Sequence, residues 1–224
     1  MWSIRALGVF VVASICAVIV VGNLHRAPAD VLCKTASNPN PCGANTYPAT
    51  TTFNAKLKTG TKVLITTDGG DITPTITCTT STLGLRNINA GGAQHVSVSV
   101  VMTALTLTGC SGAPDTCSAA GTVGNLAGGL ISWSNNTNDG DLYLVPPTIS
   151  FTCGTKTCIF GGSGLHLTAS ITGANPATMN FTTWPLMATG NTSAGCPSSA
   201  ALSALYQLTA VASSPTALFI EKTN

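Results

Sequence analysis

Eight cysteines (Cys33, Cys42, Cys78, Cys110, Cys117, Cys153, Cys158 and Cys196) stand downstream of an uncharged apolar run, and no other feature narrows the fold so far. An even set of thiols behind an export-like segment reads as a disulfide framework, because disulfides persist where the compartment is oxidising. Spacing suggests three local links, Cys33 with Cys42, Cys110 with Cys117 and Cys153 with Cys158, each enclosing Pro, Gly or Asp turn residues. Cys78 and Cys196 are left, and their link would close most of the domain. In the chain-entropy model it would be worth roughly 4–5 kcal/mol. Metal binding is the other use of such residues. No Cys-x-x-Cys spacing occurs, and the nearest imidazole, His166, follows Cys158 at no zinc-site interval.

Residues 1–29 carry the signs of a targeting segment. Arg5 supplies a short basic start, residues 6–22 are uncharged and strongly apolar, and Ala27-Pro28-Ala29 offers the small-x-small pattern of a signal-peptidase site. The expected mature chain starts at Asp30. The apolar run also lies at the lower limit for a spanning helix, so an uncleaved N-terminal membrane anchor is the alternative. Cys16, preceded by Ile15, fits a lipid-attachment site poorly.

Charged residues make up 7% of the chain, whereas an ordinary soluble domain has about 25%. Thr and Ser supply the polarity instead. Such a chain has no basic stripe to neutralise phosphates, which argues against a nucleic-acid partner. It also lacks the Glu, Lys and Leu that helical bundles need. Removal of residues 1–29 takes away Arg5 and Arg26 but no acids, leaving seven basic and seven acidic residues. A neutral chain steers partners weakly.

From residue 48 onward, apolar and polar residues alternate between turn signals, the pattern of half-buried strands in an all-β domain. Phe53, Ala55 and Leu57 share one face, as do Ile72, Ile76 and Cys78, then Ile149, Phe151 and Cys153. Leu165, Leu167, Ala169 and Ile171 repeat the pattern, followed by Met179 and Phe181. Between residues 96 and 108 the phase breaks: Val96, Val98 and Val100 have one parity, Leu105 and Leu107 the other. One flat strand cannot bury both sets, so a β-bulge near residues 101–103 is expected. Residues 199–212 fit helix or strand, and their all-β surroundings favour strand. No fixed-period repeat occurs, which excludes solenoids and propellers.

Catalytic chemistry has few candidates. Only His95 and His166 remain beyond the export segment, both in contexts that suit surface residues, and Gly-x-Ser-x-Gly is absent. A glycosidase-type carboxylate pair would have to come from Asp68, Asp71, Asp115, Asp139, Asp141 and Glu221, most of which sit in turn-like contexts. Asn136, Asn138, Asp139 and Asp141 surround Gly140 without calcium-loop spacing, and a hairpin turn at Asp139-Gly140 accounts for them. Trp133, Trp184, Tyr143 and Tyr206 could form a sugar-stacking platform, but their neighbours suit a core or sheet edge better. Outward Thr rows suit solvated strands. Asn135, Asn180 and Asn191 begin Asn-x-Ser/Thr acceptor patterns. The reading therefore assigns no catalytic, cofactor-binding or metal site.

Val31-Leu32-Cys33-Lys34, Asn40-Pro41-Cys42, Thr77-Cys78-Thr79, Leu107-Thr108-Gly109-Cys110, Phe151-Thr152-Cys153 and Cys196-Pro197-Ser198 occur in this order. The series resembles a group of uncharacterised secreted Cys- and Thr-rich proteins, chiefly of high-GC Gram-positive bacteria. The resemblance implies a bacterial exported β protein, supports strand over helix at residues 199–212, and carries over no catalytic residue. The expected architecture is an antiparallel β-sandwich at residues 48–224, with barrel-like and jelly-roll forms as variants. A disulfide-linked extension at residues 30–47 precedes it. The expected role is an extracellular or cell-surface structural or binding module that contacts the cell envelope or its glycans and takes no cofactor. The alternative is an extracellular hydrolase with an unrecognised carboxylate or His-based site.

Overall fold

The computed structural model describes residues 29–36, 42–69, 75–91, 97–112, 117–122, 128–134, 138–161, 167–189, 193–209 and 217–223. Alternation produces strands throughout them, as the Thr-rich composition favours. In chain order they are β1 (Ala29–Cys33), β2 (Thr52–Leu57), β3 (Val63–Thr67), β4 (Thr75–Asn87), β5 (Val98–Gly112), β6 (Cys117–Thr122) and β7 (Gly128–Trp133). Then follow β8 (Gly140–Leu144), β9 (Thr148–Cys153), β10 (Lys156–Gly161), β11 (Leu167–Thr172), β12 (Thr178–Ala188), β13 (Ser199–Thr209) and β14 (Phe219–Thr223). The one helical piece among the described residues is a 3-10 turn, Gly43–Asn45.

The sheet closes on itself. Strands run β13-β3-β4-β5-β7-β8-β11-β12, and β12 pairs again with β13 to complete an eight-stranded antiparallel barrel. The expected all-β antiparallel architecture thus takes its barrel-like form. β2 and β3 share a single place in the wall: β13 and β4 each pair with β3 along one half and with β2 along the other. Between them residues 58–62 leave the ladder in a turn closed by Thr61 N–H donating to Lys58 O at 3.0 Å, with Gly60 at φ +81°.

Eight strands enclose a space that side chains alone can fill. Ile65, Leu83, Met102, Leu142, Ile171 and Tyr206 are each at most 2% exposed. Two bulges keep the inward rows continuous. On β5, Leu85 pairs with Met102 and Gly84 with Ala104, so Thr103 is the extra residue. It lets Val98, Val100 and Met102 point inward together with Leu105 and Leu107, which resolves the phase break at the expected place. On β12, Phe181 pairs with Ala204 and Trp184 with Leu202. Two residues, Thr182 and Thr183, therefore face Ser203 alone, and Thr183 takes φ 49°, a conformation uncommon for a β-branched residue. Ser203 Oγ accepts the Thr183 N–H at 3.0 Å. β13 alternates without a break, with Ala200, Leu202, Ala204, Tyr206 and Leu208 buried, as a strand reading of this segment requires.

The ribbon of β1 and β14 packs at one end of the barrel, near the end of β7 and the start of β8. Trp133 N–H donates to Asp30 Oδ2 at 3.1 Å, and Ile220 N–H donates to Asn138 O at 3.0 Å. Gly91, at φ +71°, comes so close to the Asp30 carbonyl that a β-carbon there would overlap it. Leu32 and Ile220 belong to the main core, whereas Val31, Cys33 and Cys42 form a small second cluster. β6, β9 and β10 extend the sheet from β12 and add Ile149, Phe151, Cys158 and Phe160 to the core.

Four disulfides join the eight cysteines in consecutive order: Cys33–Cys42, Cys78–Cys110, Cys117–Cys153 and Cys158–Cys196. The first is the link expected from spacing. The other expected links, Cys110 with Cys117, Cys153 with Cys158 and Cys78 with Cys196, are corrected by sheet register. Cys78 stands directly opposite Cys110 on β4–β5, and Cys117 directly opposite Cys153 on β6–β9. Within the β9–β10 hairpin, Cys153 faces Lys156 and Cys158 faces Phe151, so those two thiols are not opposed. Cys158 instead meets Cys196, carried by a segment running beside β10, where Ser193 N–H donates to Thr157 O at 2.9 Å.

Candidate functional site

The carboxylates considered for catalysis fall at different places on the barrel. Asp68 follows β3 at the end away from the β1–β14 ribbon. Ser198 and Ser199 each donate a hydroxyl to its Oδ2 at 2.8 Å, and Ser199 N–H donates to Oδ1 at 3.1 Å. The Ser198 hydroxyl first, then the two Ser199 donors, hold the carboxyl below the usual carboxylate range. The cluster fastens the end of β3 to the start of β13. Asp139 and Asp141 lie at the other end, in the β8 turn and on β8. Asp139 Oδ1 accepts the Gly173 N–H at 2.7 Å, tying the β8 turn to the end of β11, and Asn138 takes φ 65°. Glu221 is buried on β14. Asp68 is thus separated from Asp139 and Asp141 by the length of the barrel. His95, His166, Asp71, Asp115, Asn135, Asn136 and Asn191 lie outside the described residues, as do residues 1–28 of the expected export segment. Asn180 is exposed on β12, between Ser170 of β11 and Leu205 of β13.

The aromatic candidates divide as their neighbours suggested. Trp184 and Tyr206 are buried and gather around Phe181, with ring centroids 5.0 Å and 5.6 Å from it. Trp133 packs half-buried against the core, and Tyr143 is half-buried on the outer side of β8.

Sequence reasoning missed the polar relay inside the core. Ser81 Oγ donates to Thr106 O at 2.7 Å, so its oxygen is left to accept the Tyr206 O–H, also at 2.7 Å. Burial outweighs this hydrogen bond and pushes the Tyr206 phenol up to about 12. In the unfolded chain a tyrosine ionises near 10, so up to that pH both states keep the proton. Between about 10 and 12 only the unfolded state releases it, and unfolding becomes easier as pH rises. The loss should reach about 2.7 kcal/mol once both states have titrated. Denaturant unfolding of the protein and of Tyr206→Phe, from about pH 9 upward, checks this. The substitution should flatten the slope between pH 10 and 12, and an unchanged slope would assign it to other groups.

On the outer side the hydroxyls form cross-strand pairs. Thr82 and Thr106 hydroxyls lie 2.6 Å apart, Thr80 faces Thr108, and Thr77 and Ser111 hydroxyls are 3.5 Å apart. Among the described residues no group of three His, Cys, Asp or Glu side chains could hold a metal ion. None of the helices there is long and apolar enough to cross a membrane.

Fold and covalent links together define a class: a disulfide-linked, closed antiparallel β-barrel with a hydroxyl-rich wall that carries few charges. Four disulfides point to an oxidising, extracellular-type environment. Compared with protein-family models, with curated proteins and with solved structures, the chain gives no match.

Proposed function

We propose that this chain is an exported, non-catalytic β protein, serving outside the cytoplasm as a cell-surface structural or binding module. It would belong with the secreted Cys- and Thr-rich proteins that its cysteine motifs resemble. The observation that carries this reading is the pairing of all eight cysteines downstream of the apolar segment. Such pairing is maintained outside reducing compartments. The export signs in residues 1–29 agree with it, and the hydroxyl-rich wall offers hydrogen bonds to glycans.

The test is cell fractionation of the native host, followed by a non-reducing peptide map of the protein recovered. The expected result is protein outside the cytoplasm, starting at Asp30, with the four consecutive links. An intact Met1 with the same links would make it a tethered surface protein. Free thiols in a cytoplasmic fraction would overturn the reading.

A further inference from the structure

From Asp30 onward seven basic and seven acidic residues balance, and this conceals a segregation of charge that only the barrel reveals. Across β2, β3, β4, β5, β12 and β13, and the turn between β2 and β3, the charged residues are Lys56, Lys58, Lys62 and Arg86. All four are exposed, and all are cations. None of them forms an ion pair with another described residue. The nearest acid along the chain, Asp68, lies beyond the end of β3 with its oxygens occupied by Ser198 and Ser199. Asp139 and Asp141 belong to β8 and its turn, and β8 stands four places from β3 in the eight-strand ring, on the opposite side.

The four cations share one stretch of wall. Lys56 pairs with Thr82 and Thr52 with Arg86 in the β2–β4 ladder, which places Lys56 and Arg86 four ladder steps apart, about 13 Å. Lys58 and Lys62 stand at the feet of the turn that leaves the ladder. Around them are the hydroxyls of Thr52, Thr66 and Thr82. Leu64 on β3, Ile88 just past β4 and Met187 on β12 are exposed singly, on separate elements, so the wall lacks the continuous apolar face that inserts into a bilayer. Among its described residues it also presents no exposed aromatic ring on which a base could stack.

We infer that this wall, centred on Lys56, Lys58, Lys62 and Arg86, docks an anionic polysaccharide. Cations at ladder spacing match anions repeated along a polymer, and the hydroxyls meet the sugar hydroxyls between them. This inference rests on the exported-module reading and gives its partner a chemical class.

The test uses the oxidised protein as recovered from its native host and four probes: polygalacturonate, a phosphomannan, neutral dextran, and phosphatidylglycerol vesicles. Binding is measured by interferometry at about 50 mM and about 300 mM salt, because contacts with a polyanion weaken steeply as salt rises. One or both anionic polysaccharides should bind at low salt and weaken at least about a hundredfold at high salt if all four cations are engaged, with dextran inert. The better ligand shows whether carboxylate or phosphate is the natural anion. Lys58→Gln/Lys62→Gln should lose about tenfold in affinity, whereas the charge-matched Lys34→Gln/Lys156→Gln should stay within about twofold. Equal losses in both variants, no binding to either anionic polymer, or tighter binding to the vesicles would each overturn the proposal. If fractionation still finds the oxidised protein outside the cytoplasm, such a failure leaves the exported-module reading standing. Reduced protein in the cytoplasm would remove that reading whatever the polymers do.

Discussion

Replacing Cys158 and Cys196 together by alanine is expected to lower the unfolding free energy by about 4 kcal/mol. The link joins residues 38 apart, and in the chain-entropy model a loop of that length costs the unfolded chain about this much freedom when closed. The effect is read most cleanly here because Cys158 and Cys196 are not partners in a ladder. Cys78–Cys110 and Cys117–Cys153 join residues already opposed across hydrogen-bonded strands. Cys158–Cys196 instead holds the segment after β12 against β10. The same substitution at Cys33 and Cys42, which lie 9 apart, should cost less, about 2.6 kcal/mol by the same relation. Denaturant unfolding of the two double variants beside the parent gives the comparison. A smaller loss for the longer loop would show that native contacts, rather than chain entropy, set the value of these links.

Trp184→Ala is expected to cost 3–5 kcal/mol, roughly the range for emptying a large aromatic site in a packed core. Trp184 is 3% exposed, lies 5.0 Å from the Phe181 ring and faces Leu202 across the barrel wall. Its indole Nε1 is buried and has no hydrogen-bond partner among the described residues. A buried donor without a partner costs about 1–3 kcal/mol. Trp184→Phe removes that donor while keeping one ring, so its net cost should be under about 1.5 kcal/mol. Thermal or denaturant unfolding of the pair tests both statements. Equal losses for Ala and Phe would mean that the indole N–H contributes stability through a partner, contrary to its position.

Trp184 also shows where sequence reading stops. Met179 and Phe181 have one parity and Trp184 and Leu186 the other, so a strand through all four needs an extra residue. The same argument places a bulge near residues 101–103 from the valines and leucines of β5, and Thr103 is the extra residue there. On β12 the corresponding break falls beside Trp184-Pro185, whose proline hides the strand in the sequence pattern. Proline is tolerated there because Pro185 lies between the β11-paired residues 178–181 and the β10-paired residues 187–188, where β12 has β13 alone as a ladder partner. Among the candidate site residues, the Ser81–Tyr206 relay left no signal at all. Ser81 is 125 residues from Tyr206, and its row begins only after Thr79 and Thr80, which both face outward.

What the sequence determined by itself is local: the strands around residues 53–57, 98–107, 149–153, 167–171, 179–181 and 199–209, where β5 must bulge, and that eight cysteines suit an oxidising environment. These follow from side-chain periodicity and composition, which act over a few residues. By contrast β1, at residues 29–33 where the expected extension begins, is a strand only through its pairing with β14. The closure of β12 onto β13, the choice of cysteine partners and the gathering of Lys56, Lys58, Lys62 and Arg86 on one wall were decided by the tertiary structure alone. Each depends on register between strands far apart in the chain. A thiol pairs with the sulfur that the neighbouring strand brings opposite it, and nearness along the chain has no say in that.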